Sequence, residues 1–307
     1  MNYTLHQLRI FQKIVEKESI TKAANELFLS QPAVSIQLKN LQDQFEIPLT
    51  EVIGRKLYIT EFGKELAKSS SKILDEVHDI KHKVMAYKGH VSGQLRFSAV
   101  STAKYVIPYF LTDFINQYQA VDLNIDVTNK AMVIESLERN EVDFAMVSVL
   151  PEKLNIDRIE LLQNKLFLVS NKQLLDEKKH LENKQIEELP LIFREKGSAT
   201  RQAMEDFIEK NQLVVKKKLE LTSNEAVKQA VIAGLGYSIM PIIGIGSELK
   251  NKELFIIPMK QLPIITEWNL IWLKNKKFSP AAVAFIKHLN SEKEGIINSK
   301  FEWFESF

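Results

Sequence analysis

The run SITKAANELFLSQPAVSIQLKNLQDQF (19–45) holds side chains suited to one kind of chemistry, the reading of nucleic-acid bases. Gln31 and Gln37 present amide donors and acceptors that match base edges, Ser35 and Lys39 can reach phosphates, and Ile36 offers an apolar surface to thymine methyls. A second set of polar residues follows short apolar runs: Ser101 and Thr102, Thr128 and Asn129, Ser148, then Ser198 and Thr200 inside REKGSATR (194–201). Hydroxyls and open N–H groups where a helix begins attract an anion. Any one of these residues taken alone is more simply an ordinary helix N-cap, so the anion reading depends on several converging on one cleft.

The first sixty residues contain the elements that would position the base-reading set. Leu5, Leu8, Phe11 and Val15 fall three or four apart and predict an amphipathic first helix. Thr21 is expected to cap a short second helix whose Ala23 and Ala24 permit close packing, and Phe28 to Ser30 form a tight turn. Ser30 caps a third helix with Pro32 in its first turn, where a missing N–H costs nothing. Val34, Leu38, Leu41 and Phe45 make its buried stripe, which leaves Pro32, Ile36, Lys39 and Asp43 outward. PLTEVIGRKLYIT (48–60) alternates around Gly54 as a hairpin, with Arg55 and Lys56 at its tip for the sugar–phosphate backbone or a minor groove. On spacing alone, a helix-turn-helix over about 21–40 and an ordinary three-helix domain with a solvated face both stand.

From Glu61 to about Lys88 no proline occurs, and Ile73, Val77, Ile80, Val84 and Tyr87 recur every three and four residues. That seam suits pairing with a second long helix, the lesser alternative being a helix lying on its own α/β domain. His78 and His82 share an i, i+4 spacing that could bind a metal, but such a pair is far more often a solvated face, so no metal is expected there. Beyond Gly93 the pattern alternates: strands at 94–100, 122–128, 142–149, 165–170, 191–193, 217–222, 237–240, 254–259 and 267–274, with helices near 101–119, 131–140, 199–211, 224–234 and 280–290. This predicts a mostly parallel α/β region in two lobes, with the polar loops at the strand ends lining a crevice.

Composition limits the alternatives. The 307 residues suffice for about two domains. The absence of cysteine removes disulfides, thiolate metal sites and thiol redox sensing. The net charge is +2 overall and +1 over residues 1–60, so any footprint on nucleic acid must be local. There is no long apolar run, and the opening MNYTLHQLRIFQKIVEKES is amphipathic, so a cytoplasmic chain is expected. No phosphate-loop, dinucleotide-binding, zinc-protease or nucleophile-elbow pattern occurs, which argues against an enzyme. An enzyme or a solute-binding protein on the same bilobal fold remains the alternative.

Ala23-Ala24, Leu27, Ser30 to Ser35, Gln37, Leu41, Pro48-Leu49, Gly54-Arg55, Thr60 and Gly63 together resemble the winged helix-turn-helix of LysR-type transcriptional regulators. GSATR (197–201) and VIAGLGYSIMP (231–241) resemble segments of the same family's effector domains. The resemblance covers nearly the whole chain. It implies a bacterial, ligand-responsive regulator that binds promoter DNA as a dimer or tetramer, pairs through the 61–88 helix, senses a small anionic metabolite and needs no cofactor.

The implied architecture is α/β: an N-terminal winged helix-turn-helix (1–60), a long linker helix (61–88) and a bilobal periplasmic-binding-protein-like (type 2) effector domain (92–307). One lobe takes about 92–163 and 267–307, the other about 164–266. The expected DNA-binding residues are Thr21, Ser30, Gln31, Pro32, Ala33, Ser35, Ile36, Gln37, Lys39, Arg55 and Lys56. The expected effector-binding residues are Ser101, Thr102, Thr128, Asn129, Ser148, Ser198 and Thr200. The chain departs from the family at Leu49-Thr50-Glu51-Val52, where Leu-Phe-x-Arg is usual, and at Ile36 and Gln42. A wing without its aromatic and its cation predicts weaker phosphate contact.

Overall fold

The computed structural model describes residues 2–54, 56–87, 90–173, 181–303 and 307. They form two compact units, 1–90 and 91–307.

In the first unit, α1 (Leu5–Lys17) starts at a capping box in which the Thr4 hydroxyl accepts from the Gln7 N–H and the Gln7 side chain accepts from the Thr4 N–H. Its buried face is Leu8, Ile10, Phe11 and Ile14, while Leu5 is exposed and Val15 only half-buried. The stripe is thus rotated from the expected one. Helix α2 (Ile20–Glu26) is capped by Ser19, which accepts from the Lys22 N–H. Thr21, the expected cap, lies within the first turn because Ser19 already has the extended backbone that a cap requires. Helix α3 (Gln31–Gln42) begins at Ser30 as expected and buries Val34, Leu38 and Leu41 against Ala23 and Ala24. Phe45 lies beyond α3, half-buried between Tyr3 and Phe62.

Strands β1 (Thr50–Ile53) and β2 (Lys56–Ile59) pair antiparallel around Gly54, whose φ of 65° is a conformation L side chains rarely adopt. Helix α4 (Glu61–Tyr87) is about 40 Å long. Phe62, Leu66, Ala67 and Leu74 pack on the helical core, whereas Ile73, Ile80 and Val84 of the expected seam are exposed and Val77 is half-buried. The side chains of Tyr87, His78 and His82 lie outside what is described, as do Arg55 and Lys88.

The second unit opens with β3 (Gly93–Val100). The single helix expected next is split into a 3-10 turn (Ala103–Tyr105) and α5 (Ile107–Gln117), because Pro108 fits only a first turn. There follow β4 (Val121–Thr128), α6 (Lys130–Glu138), β5 (Phe144–Val147), β6 (Ile156–Ser170), α7 (Asn183–Glu188), β7 (Pro190–Arg194), α8 (Ala199–Lys210), β8 (Lys216–Leu221) and α9 (Asn224–Ile232). The unit ends with β9 (Ser238–Pro241), α10 (Gly246–Lys250), β10 (Phe255–Ile256), β11 (Ile264–Leu273) and α11 (Pro280–Phe301).

The main sheet runs β10-β6-β11-β5-β3-β4, with β9 also paired to β6, and β7 and β8 form a separate parallel pair. Among the described residues only the β3–β4 and β3–β5 pairings of the main sheet are parallel, so the mostly parallel expectation gives way to a mixed one. The reason is the length of β6, at 15 residues, which pairs antiparallel with β11 along nearly all of that strand. Short apolar runs do not disclose such a long ladder. Phe97 lies in the core among Phe144 and Phe285, each at a ring distance of 5.3 Å. A smaller cluster gathers Leu166, Leu191, Phe193, Met204 and Phe207.

Gly236 shows how closely the backbones approach. Tyr237 N–H donates to the Pro190 carbonyl (3.0 Å) and Ile192 N–H to the Tyr237 carbonyl (2.8 Å), so a Cβ on Gly236 would sit 2.2 Å from the Pro190 oxygen. Gly236→Ala should therefore cost about 1–3 kcal/mol. A thermal melt should show a drop of roughly 2–12 °C.

Candidate DNA-reading face and effector cleft

Helix α3 presents Gln31, Pro32, Ile36 and Lys39 fully outward, with Ala33, Ser35 and Gln37 half-buried beside them. Ile36, at the middle of that face, is 57% exposed and offers it an apolar surface. Ser30 is exposed but spends its acceptor on the Ala33 N–H, and Thr21 is exposed on α2. Lys56 is exposed on the hairpin.

Electrostatics narrow the phosphate contacts. Lys13 and Lys17 each bridge Glu16 and Glu26, and the hydrogen bonds they donate to those carboxylates hold both ammonium groups above their ordinary pKa. Two of the seven cations in residues 1–60 are therefore already committed to carboxylates. Gln42 also acquires a role that the sequence did not disclose: its side-chain oxygen accepts from the Leu49 N–H (2.5 Å) and its amide donates to the Ile47 carbonyl (3.1 Å). It fastens the loop that leads into the hairpin.

In the second unit, strand register aligns the expected polar loops. Val100 pairs with Thr128, and Ala99 with Met146, so Ser101, Asn129 and Ser148 leave the carboxyl ends of three adjacent parallel strands. Ser148 and Thr102 are buried and Thr128 is half-buried. Two links then tie these loops to the later half of the chain. At one, the Ser101 hydroxyl accepts from Arg194 Nη1 (3.2 Å) and from Asn224 Nδ2 (3.0 Å). At the other, Ala131 N–H donates to the Gly197 carbonyl (3.2 Å) and Lys130 Nζ to Gln202 Oε1 (2.8 Å).

Asn129 and Ser198 are N-caps, accepting from Met132 N–H and Arg201 N–H, and Thr200 is buried in the first turn of α8. A cavity of about 580 Å³ opens beside the second link, lined by Lys130, Ile134, Lys153, Lys196, Ser198 and Arg201. Of the expected effector residues only Ser198 lines it. Burial holds the Lys130 pKa below that of an ordinary lysine.

Arg194 and Asn224 were not among the expected residues. Arg194 is 4% exposed and its guanidinium grips Glu195 through Nε (2.8 Å) and Nη2 (2.9 Å). Arg201, also buried, holds the Arg194 carbonyl (2.9 Å) and pairs with Glu205 and Glu220. The one local sign was an arginine closing an apolar strand, PLIFR. Among the described residues no group of three His, Asp or Glu could hold a metal ion, and no helix is long and apolar enough to cross a membrane.

A trihelical unit with an outward polar helix and a wing, followed in sequence by an α/β unit with polar loops gathered at its strand ends, defines a ligand-responsive DNA-binding transcriptional regulator. Residues 5–64 match the bacterial regulatory helix-turn-helix protein, lysR family, and residues 88–294 match the LysR substrate binding domain. The chain belongs to the LysR family of transcriptional regulators.

Among its relatives, the HTH-type transcriptional activator CmpR of Synechocystis is 36% identical over 96% of this chain and 97% of its own length. The RuBisCO operon transcriptional regulator of Allochromatium vinosum is 33% identical over 95% and 97%. The regulatory domain of Synechocystis CcmR in complex with 2-PG matches 66% of this chain and 98% of that one, at 31% identity and a TM-score of 0.63. Full-length CbnR complexed with its target DNA shares the fold over 94% and 99%, at 18% identity and a TM-score of 0.73.

Proposed function

We propose that the protein binds promoter DNA as a dimer, each copy laying α3 in a major groove with Gln31, Ser35, Ile36, Gln37 and Lys39 toward the bases and phosphates, and Lys56 with Arg55 at the backbone. Thr21, Ser30, Pro32 and Ala33 shape the entry of that helix. The exposed Ile73, Ile80 and Val84 on α4 support pairing through residues 61–88, which would set two reading helices on a two-fold site. The division is then 1–60 for DNA, 61–88 for pairing, and two effector lobes at about 92–163 with 267–307 and at about 164–266.

The effector is a small anion held between those lobes by Ser101, Thr102, Thr128, Asn129, Ser148, Ser198 and Thr200. The observation that carries this reading is Ser101 hydrogen-bonded to both Arg194 and Asn224, which gathers polar groups and a buried cation at the carboxyl ends of parallel strands. The 2-PG bound to the similar CcmR domain supports an anion of that kind. The protein works in the cytoplasm as a regulator, without turnover of its ligand. Thr200→Val should abolish the change that 2-PG makes to the promoter footprint of the full-length protein. A normal response removes Thr200 from the site.

A further inference from the structure

The buried cation at the cleft is already occupied. The Nε and Nη2 edge of Arg194, the edge that takes an oxyanion in bidentate fashion, is filled by the Glu195 carboxylate at 2.8 and 2.9 Å, and Nη1 is on Ser101. An anionic ligand therefore meets a neutralised guanidinium. Neighbouring residues along a strand point to opposite faces, so Glu195 reaches Arg194 only because the strand ends there: its N–H donates to the Leu221 carbonyl and its own carbonyl accepts from the Ser198 N–H, which starts a turn. That turn carries Gly197, at φ 89°, whose carbonyl takes the Ala131 N–H from the start of α6.

Two further groups at the same spot have hydrogen-bonding capacity to spare. Asn224 is 6% exposed, yet its Oδ1 has no hydrogen-bond partner among the described residues. The Ser101 hydroxyl accepts two hydrogen bonds, so its proton is available to donate. A buried orphan acceptor, a hydroxyl with a proton to give and a bidentate cation together match an oxyanion that also bears an O–H, as a singly protonated phosphate group does.

We infer that Glu195 is a resident competitor for the effector: a phosphate-type oxyanion binds by displacing the Glu195 carboxylate from Arg194, while its own hydroxyl goes to Asn224 Oδ1. The exchange frees the Glu195 side chain at the head of the 195–198 turn, whose Gly197 carbonyl takes the Ala131 N–H from α6, so ligand entry bears on the link between the two sides of the cleft. The inference rests on the reading of the cleft as an anion site.

Titration calorimetry on the full-length protein, with 2-PG and with inorganic phosphate as probes, tests it. Glu195→Gln removes the competing charge and should tighten binding roughly tenfold, whereas Arg194→Gln should weaken it at least about tenfold. In the double variant the gain from Glu195→Gln should vanish, because the glutamate acts only through Arg194. Glu195→Asp, one methylene shorter and so reaching the fork less well, should tighten binding to a lesser degree, and it decides the matter if Glu195→Gln fails to fold.

Binding that is unchanged or weaker in the Glu195 variants, or a gain that persists without Arg194, overturns the inference. With 2-PG still lost in Thr200→Val, that outcome leaves the cleft reading standing. If no variant, wild type included, binds either probe at millimolar concentration, the anion reading falls and the inference with it.

Discussion

Replacing Ile36 with glutamate should remove specific promoter binding by the full-length protein. A carboxylate in the middle of the outward face of α3 would confront base edges and flanking phosphates in place of an apolar contact. One spoiled base contact costs about 1–3 kcal/mol, and a dimer repeats the loss in each half-site, so affinity should fall by roughly 30-fold to 10⁴-fold. Because Ile36 is 57% exposed, the fold should not register the change, with stability altered by no more than about 0.5 kcal/mol. Fluorescence anisotropy with a promoter duplex at fixed salt, beside a thermal melt, separates the two quantities. Unchanged affinity would take the outer face of α3 out of the groove.

Phe97→Ala should have the largest effect on stability. Phe97 has no exposed surface and meets Phe144 and Phe285, so truncation leaves a ring-sized void between β3, β5 and α11. Such deletions cost about 3–5 kcal/mol. For a unit of this size that lowers the melting temperature by roughly 6–20 °C. The trihelical cluster around Phe11 and Leu41 shares no residue with this core. Calorimetry should therefore move the transition of residues 91–307 and leave that of residues 1–90 in place, whereas an unshifted transition would mean that the void closes by collapse.

Local rules made much of this molecule readable. Ser30 with Pro32 marks the start of α3, Gly54 marks the hairpin, and apolar spacing marks nearly every helix and strand, because caps, left-handed turns and amphipathic periods depend on residues within one turn of each other. The misreadings fall where a near-equal competitor sits close by. Ser19 took the cap from Thr21, and the α1 stripe settled on Ile10 and Ile14 rather than Leu5 and Val15. The antiparallel ladder of β6 with β11 depends on pairing across about a hundred residues, which no local period reports.

The candidate cleft divides the same way. Ser101, Asn129 and Ser198 were legible as strand-end and helix-start residues. Arg194 and Asn224 were not, since an arginine beside a glutamate reads as solvated surface until a serine 93 positions earlier is found against it.

The contact of Phe97 with Phe285 also bears on how the chain comes into being. Strand β3 leaves the ribosome roughly 190 residues before the helix that seals it, a delay of some 10–40 s at bacterial rates of synthesis. During that interval the trihelical unit can already be complete, since all its partners lie within the first ninety residues. The nascent sensor meanwhile carries unsealed apolar strands. Chaperone capture and the speed of translation, rather than the final stability alone, would then govern how much working regulator a cell obtains.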